Sequence, residues 1–182
     1  VLRRIGQNLA RLVEDLAEVS RIENGRFTLD KKNVRIDELL ADIIARFSPG
    51  AASKGLEITI HQPDQPLWVL TDRFRLEQVV TNLIENAIKF VQSGGTIDVS
   101  VDASDGEVTI QVSDTGPGIP SEALQRIFER YYQVPQGDGQ VGPGMGLGLY
   151  ISREIVHSLG GEIWVASELG QGSTFYVRLP RR

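Results

Sequence analysis

Hydrophobic positions along this chain change period several times, and the changes mark its elements. Across residues 1–24, Ile5, Leu9, Leu12, Leu16 and Val19 recur at alternating spacings of four and three, with Arg11, Glu14, Asp15 and Glu18 between them. That is an amphipathic helix with a heptad seam. Two readings stay open: the helix packs on its own domain, or its seam meets a helix from another segment or subunit. Asn24-Gly25 supplies the stop. Val34-Arg35-Ile36 then reads as a short strand, and Asp37 as the cap of a helix carrying Leu39, Leu40, Ile43, Ile44 and Phe47. Ser48-Pro49-Gly50 ends or kinks that helix. Residues 56–60 alternate as a half-buried strand does, and Trp68-Val69-Leu70 forms another. Asp72 caps a helix whose core face is Leu76, Val79, Val80, Leu83, Ile84 and Ala87.

After a Gly94-Gly95 turn, residues 96–101 and 107–112 alternate as strands joined around Asp105-Gly106, a hairpin signature. Helices are predicted over 121–129 and 148–159, the second stopped by Gly160-Gly161, with closing strands at 162–166 and 174–179. Residues 133–143 are rich in Gly, Gln and Pro, lack a hydrophobic period, and are expected as a mobile loop. The fold class is α+β. We expect a two-layer sandwich with a mixed, largely antiparallel sheet, helices on one face and a helix in front.

Composition narrows this picture. A chain of 182 residues suits one domain with an appendage, and 41% hydrophobic residues supply a core. The formal charge of −5 offers no basic excess for nucleic acid, although a local pocket can still hold an anion. The absence of cysteine excludes disulfides, thiolate metal sites and a Cys nucleophile, and fits a reducing compartment. No run reaches the roughly 20 apolar residues of a spanning helix, and no signal peptide is visible. The chain opens at Val1 inside a helical pattern, so we expect a piece of a longer protein. The remainder of that protein can include membrane spans.

Three short motifs carry candidate chemistry. Asn82 and Asn86 are four apart on one helix side, with Lys89 three further on. Amide oxygens suit magnesium, which keeps waters and substrate phosphates as its other ligands, and an ammonium can meet a phosphate. The bland alternative is a solvated polar face. Glu85, beside them, can polarise a water or stand as a plain surface carboxylate. Asp114 follows an apolar strand and precedes Gly116 and Gly118. A carboxylate there can accept from an adenine amino group while glycines let backbone approach a flat ring; a simple turn is the alternative. Gly144, Gly146 and Gly148 open a helix, whose unpaired amides and positive dipole end suit phosphate. No Gly-Lys-Ser/Thr follows, so this is not a Walker loop, and the spacing does not fit a dinucleotide fingerprint. The two histidines, His61 and His157, have no metal-binding companions in sequence. Arg130 and Lys89 are the better phosphate candidates.

With these motifs in order, the chain resembles the catalytic ATP-binding domain of bacterial sensor histidine kinases. That family belongs to the gyrase, chaperone, histidine kinase and mismatch-repair ATPase superfamily. Residues 82–90 are similar to its N box, 114–119 to the G1 box, and Phe128-Glu129-Arg130-Tyr131 to the F box. Residues 144–149 are similar to the G2 box, and Gly170-Gln171-Gly172-Ser173-Thr174-Phe175 to the last glycine motif. The likeness covers residues 28–182 and implies a Bergerat-type fold. Residues 1–27 resemble the second helix of the dimerisation and phosphoacceptor domain.

The resemblance implies that the domain binds Mg-ATP and transfers its γ-phosphoryl group to a histidine. Asn86 would bind Mg2+ with Asn82 assisting, Lys89 would contact phosphate, and these three form the expected catalytic set. Phe90 would line the adenine side. Asp114 would read the adenine amino group, helped by Thr174 through a water, and Gly116 and Gly118, next to Ile119, would give the ring room. Residues 131–143 would form an ATP lid from Tyr131 onward, with Arg130 at its root. The amides of Gly146, Leu147, Gly148 and Leu149, after Gly144, would cradle the phosphates. Pro143 and Met145 depart from the family's usual residues, and Pro143 would stiffen the lid hinge. The family's acceptor histidine sits in a His-Glu-type context that neither His61 nor His157 has.

The expected acceptor is therefore a histidine outside this chain, on the dimerisation domain of the same protein. The implied partners are a response regulator receiver domain and a second copy of the full protein. The domain would be cytoplasmic, its parent open to membrane anchoring. Rival readings are a superfamily ATPase, a nucleotide-binding module without turnover, and a serine-kinase anti-sigma factor. The ATPases place a glutamate just before the Asn, where this chain has only Glu77. The heptad helix argues against the last rival.

Overall fold

The computed structural model describes residues 2–25, 27–63, 65–104, 106–135 and 144–181, without the side chains of residues 2–5, 7, 8 and 11. In chain order the elements are α1 (Leu2–Glu23), β1 (Lys32–Arg35), α2 (Ile36–Ala52), β2 (Glu57–His61), β3 (Trp68–Thr71) and α3 (Arg73–Phe90). β4 (Thr96–Ser104), β5 (Glu107–Asp114), a 3₁₀ turn (Ser121–Ala123), α4 (Gly148–Ser158), β6 (Glu162–Glu168) and β7 (Gly172–Pro180) follow. Five strands form one sheet in the order β2-β4-β5-β7-β6. Among the described residues, β2 and β4 run parallel and the other neighbours in this sheet are antiparallel. β1 and β3 make a separate two-stranded antiparallel ribbon. The structure is thus the α+β fold expected, with a mixed, mostly antiparallel sheet and a helix in front.

Strand periodicity builds the core. Ile97, Val99 and Val101 on β4, Val108, Ile110 and Val112 on β5, and Phe175, Val177 and Leu179 on β7 are buried on alternate positions. They share one sheet face. The fully buried Leu39, Leu40 and Ile43 of α2, Leu76 and Leu83 of α3 and Ile155 of α4 cover it. The opposite face is half-exposed and carries Trp164 stacked on Tyr176, 5.0 Å between ring centroids at 4°.

Two local expectations need correction. Asp37 does not cap α2: the N-cap is Arg35, without a side-chain cap bond, and Asp37 lies in the first helical turn. There its carboxylate accepts from the Leu67 N–H at 3.2 Å. The Arg35 guanidinium bonded to it holds it below the usual carboxylate range. Of the two readings of Ser48-Pro49-Gly50, a stop is excluded, since α2 runs through Pro49 to Ala52. Residues 121–129 are not a continuous helix; past Ala123 they are turns, with i→i+3 bonds such as Arg126 N–H to Ala123 C=O at 2.9 Å. Buried Ala123, Ile127 and Phe128 fasten this segment, Phe128 edge-on to Phe175 at 6.5 Å. Here tertiary anchoring outweighs local propensity.

Asp72 does cap α3, accepting from the Arg75 N–H at 3.1 Å. It also takes the Asp30 N–H at 2.8 Å, tying the segment before β1 to that helix start. The seam of α1 divides. Val19 is buried and Glu18 pairs with Arg75 of α3, whereas Leu9 and Leu16 are 61% and 44% exposed, with Val13 beside them at 61%. The C-terminal end of α1 therefore packs on the domain while an apolar stripe upstream faces outward.

Candidate functional site

The polar face of α3 meets the glycine loop at both ends. Asn82 donates through Nδ2 to Ser152 Oγ of α4 at 3.0 Å. A Cβ at Gly148 would stand 2.4 Å from Asn82 Oδ1, so any larger residue there pushes the Asn82 amide aside. At the other end, a Cβ at Gly144 would lie 3.8 Å from Lys89 Nζ. Asn86, half-buried, is one helical turn from Asn82 on the face between these two contacts. The Lys89 ammonium sits 4.6 Å from the ring centroid of Phe90, which is 40% exposed at the end of α3.

Gly148 opens α4, and Leu147 at its N-cap is buried and forms no side-chain cap bond. The first-turn amides of a helix have no partner within it. With the positive end of the helix dipole, such amides can receive an anion, and here they lie beside the Asn82–Lys89 face. The root of the loop is clasped. The Tyr131 N–H donates to Gly146 C=O at 3.0 Å and Gln133 Nε2 to Gly144 C=O at 2.6 Å. Tyr131 holds φ 61°, which is unusual for a bulky residue. Gly146 has φ 68° and leaves room for the Tyr132 carbonyl, which would be 2.6 Å from its Cβ. The rest of the expected lid, residues 136–143 with Pro143, lies outside the described residues.

Asp114 ends β5 on the helix-covered face. Its Oδ1 accepts from the Gly116 N–H at 2.8 Å, and the Ser173 N–H adds a second backbone bond. Burial nevertheless raises its pKa above the ordinary aspartate value, since those two donors do not offset the lost solvation. Gly118, at φ 73°, makes room for protein rather than for an open slot: its Cβ would be 2.1 Å from the Glu168 carbonyl. The next N–H, of Ile119, donates to Ser167 Oγ at 2.8 Å.

Two expected site residues are placed differently. Thr174 alternates with buried Ser173 and Phe175, so its hydroxyl is on the opposite sheet face, 2.9 Å from Ser113 Oγ. The residue directly across from Asp114 is Ser173, which is buried. Arg130 is turned to other partners. Its guanidinium pairs with Glu23 of α1 and donates to the Tyr150 hydroxyl at 2.7 Å, 4.6 Å from that ring centroid. Sequence reasoning missed Ser152, Ser167 and Ser173. Ser152 is a small polar residue inside an apolar helix face, a signal that was visible.

Residues 71–182, more than half of the chain, match the family described as histidine kinase-, DNA gyrase B-, and HSP90-like ATPase. The chain belongs to this family. It is 35% identical over 175 residues to the sensor protein SrrB of Staphylococcus aureus strain MRSA252, covering 96% of this chain. It spans 30% of that relative's length. The solved structure of full-length ShkA in complex with AMPPNP superposes with a TM-score of 0.87 at 36% identity, over 98% of this chain and 37% of that one. The catalytic domain of the histidine kinase ThkA, nucleotide-free, matches with a TM-score of 0.73 at 27% identity, over 84% of this chain and 96% of that one. ThkA in complex with the response regulator protein TrrA gives 0.79 at 26% identity, over 98% of this chain and 49% of that one. The chain is thus an ATPase-family domain of the histidine kinase, gyrase B and HSP90 type, and the solved structures it resembles include histidine kinases.

Proposed function

We propose that this chain serves in a two-component sensor kinase, transferring the γ-phosphoryl group of Mg-ATP to a histidine outside it. The observation that carries the reading is the glycine loop lying along the Asn82–Lys89 face, with the uncapped start of α4 beside it. Asp114 then fixes the base by accepting a hydrogen bond from its amino group, and Lys89 with the α4 amides hold phosphate charge. Phosphoryl transfer needs positioning and charge neutralisation more than covalent chemistry, and these groups supply both.

The residues fit magnesium. Asn86 offers one hard amide oxygen, which suits an ion that keeps waters and phosphate oxygens for its other positions. Among the described residues no group of three His, Cys, Asp or Glu side chains forms a cage, so the ion would arrive with the nucleotide. Bound there, it would neutralise charge on the transferring phosphates.

Neither histidine suits the acceptor role: His61 ends β2 facing Asp98 at 3.4 Å, and His157 is in the last turn of α4. The acceptor would stand on the dimerisation domain of the same protein, with a receiver domain as the next phosphate carrier. The outward stripe of Leu9, Val13 and Leu16 supports pairing of α1 with other helices in a homodimer. Glu77, the carboxylate that precedes Asn82, is bonded to Arg46 at 2.6 Å. Among the described residues no helix is long and apolar enough to cross a membrane. A cytoplasmic place for this domain rests on the resemblance.

Calorimetric titration with AMPPNP, with and without magnesium, tests the site beside Asp114→Ala. Binding strengthened by magnesium and lost in the variant supports it. Labelled ATP with a histidine-bearing acceptor segment then tests transfer. Rapid hydrolysis without an acceptor would turn the reading to an ATPase.

A further inference from the structure

One cluster that the proposed mechanism leaves aside joins three parts of the molecule. Glu23 is the last residue of α1, Tyr150 lies in the first turn of α4, and Arg130 precedes the left-handed Tyr131 at the root of the loop. The Arg130 guanidinium bonds both other side chains. Anchoring α1 does not require this. Its Glu18 pairs with Arg75, with side chains only 9% and 13% exposed, and Val19 is buried beside them. The Arg75 guanidinium also lies 4.4 Å from the Phe27 ring centroid, fastening the segment after α1. Glu23 stands at the free end of a helix already held, and what its carboxylate adds there is the bond that occupies Arg130.

We propose that Glu23 is a positioning residue that keeps Arg130 from the nucleotide while α1 is docked. The end of α1 and the phosphates then compete for one guanidinium. This rests on the reading in which Arg130 belongs to the phosphate set. Competition is chemically natural, because the planar donor fork of arginine fits a carboxylate and a phosphate alike. Tyr150 holds the same fork from the helix whose amides face the phosphates, so release needs only the Glu23 bond to break. By linkage, whatever loosens the end of α1 strengthens nucleotide binding by the same factor, and nucleotide loosens α1 in return. The pair is partly exposed, at 40% and 45% of the two side chains. The factor is therefore modest, no more than about five-fold.

The experiment measures AMPPNP affinity by calorimetry for the native chain, Glu23→Gln, Arg130→Gln and the double variant. Hydrogen exchange of the amides near Glu23 is followed with and without nucleotide. Glu23→Gln is expected to bind about two- to five-fold more tightly. Arg130→Gln should bind more weakly than native, and adding Glu23→Gln to it should change nothing further. Nucleotide should speed exchange at the end of α1 in the native chain. Unchanged or weaker binding by Glu23→Gln overturns the inference, as does equal tightening in the Arg130→Gln background. If the native chain binds no AMPPNP, the nucleotide reading falls and this falls with it. Native binding without a Glu23 effect removes this inference alone. Both side chains are partly exposed, so thermal melts should show all variants folded.

Discussion

Asp114→Asn keeps the shape of a half-buried carboxyl while removing its charge, which separates recognition from folding. Asp114 accepts from the backbone N–H groups of Gly116, at 2.8 Å, and Ser173. An asparagine oxygen can keep one of these bonds, but its amide nitrogen turns a donor toward the other or toward the base amino group. A hydrogen bond to a charged group contributes about 1.5–3 kcal/mol net. Losing the one to adenine therefore weakens AMPPNP binding by about 10- to 150-fold. Stability moves differently. Burial raises the folded pKa of Asp114, so the folded state binds this proton more readily than the unfolded chain. By linkage, this group's contribution to stability falls as pH rises through the interval between the unfolded and raised folded values. Above that interval the carboxylate is a net burden on folding, and Asn relieves it while straining one backbone bond. The melting temperature at neutral pH should thus stay near native while affinity collapses. Affinity of the native chain should also fall with acidification through the raised pKa, beyond the loss that protonation of the nucleotide phosphate causes in both chains. Calorimetry and thermal melts over the same pH series read both quantities. Binding by Asp114→Asn within three-fold of native would refute the assignment of Asp114 as the base reader.

Ser173→Ala should weaken nucleotide binding several-fold while Thr174→Val leaves it within about two-fold, because only Ser173 shares a sheet face with Asp114. Titration of the two variants side by side decides this. Gly118→Ala should lose at least about 2 kcal/mol in chemical denaturation, since it adds left-handed strain to a main-chain clash. Gly148→Ala should keep most stability yet lose affinity, because its Cβ would displace Asn82, 2.4 Å away, from Ser152. Equal losses in both quantities would count against that account.

The strands were legible because their apolar positions keep a strict period of two, which β4, β5 and β7 show as alternating burial. The same period already separated Ser173 from Thr174. Phe175, Val177 and Leu179 set the inward parity, and Ser173 shares it. Residues 121–129 misled because Ala123, Ile127 and Phe128 are spaced as on a helix face, while their burial is met by a run of turns. Asp37 misled because a carboxylate at a helix start serves the dipole from inside the first turn as well as from the cap.

The site was less legible because its partners are remote in sequence. Asn82 reaches Ser152 across 70 positions, and Arg130 reaches Glu23 across 107, so no local pattern announces either bond. The glycine motifs announce themselves but for a different reason than room for a ligand. Gly118 admits the Glu168 carbonyl, Gly146 the Tyr132 carbonyl, Gly148 the Asn82 amide, and Gly172 the Asp114 carbonyl. Each is a close joint between two segments that carry functional groups. Together the joints fix the end of β5 against β7 and the end of β6, and the start of α4 against α3. A methyl group at Gly118, Gly146 or Gly172 meets main chain, whereas one at Gly148 meets the Asn82 side chain itself. Their substitutions should therefore change affinity through geometry, whereas substitutions at Asp114 and Lys89 should change it through charge.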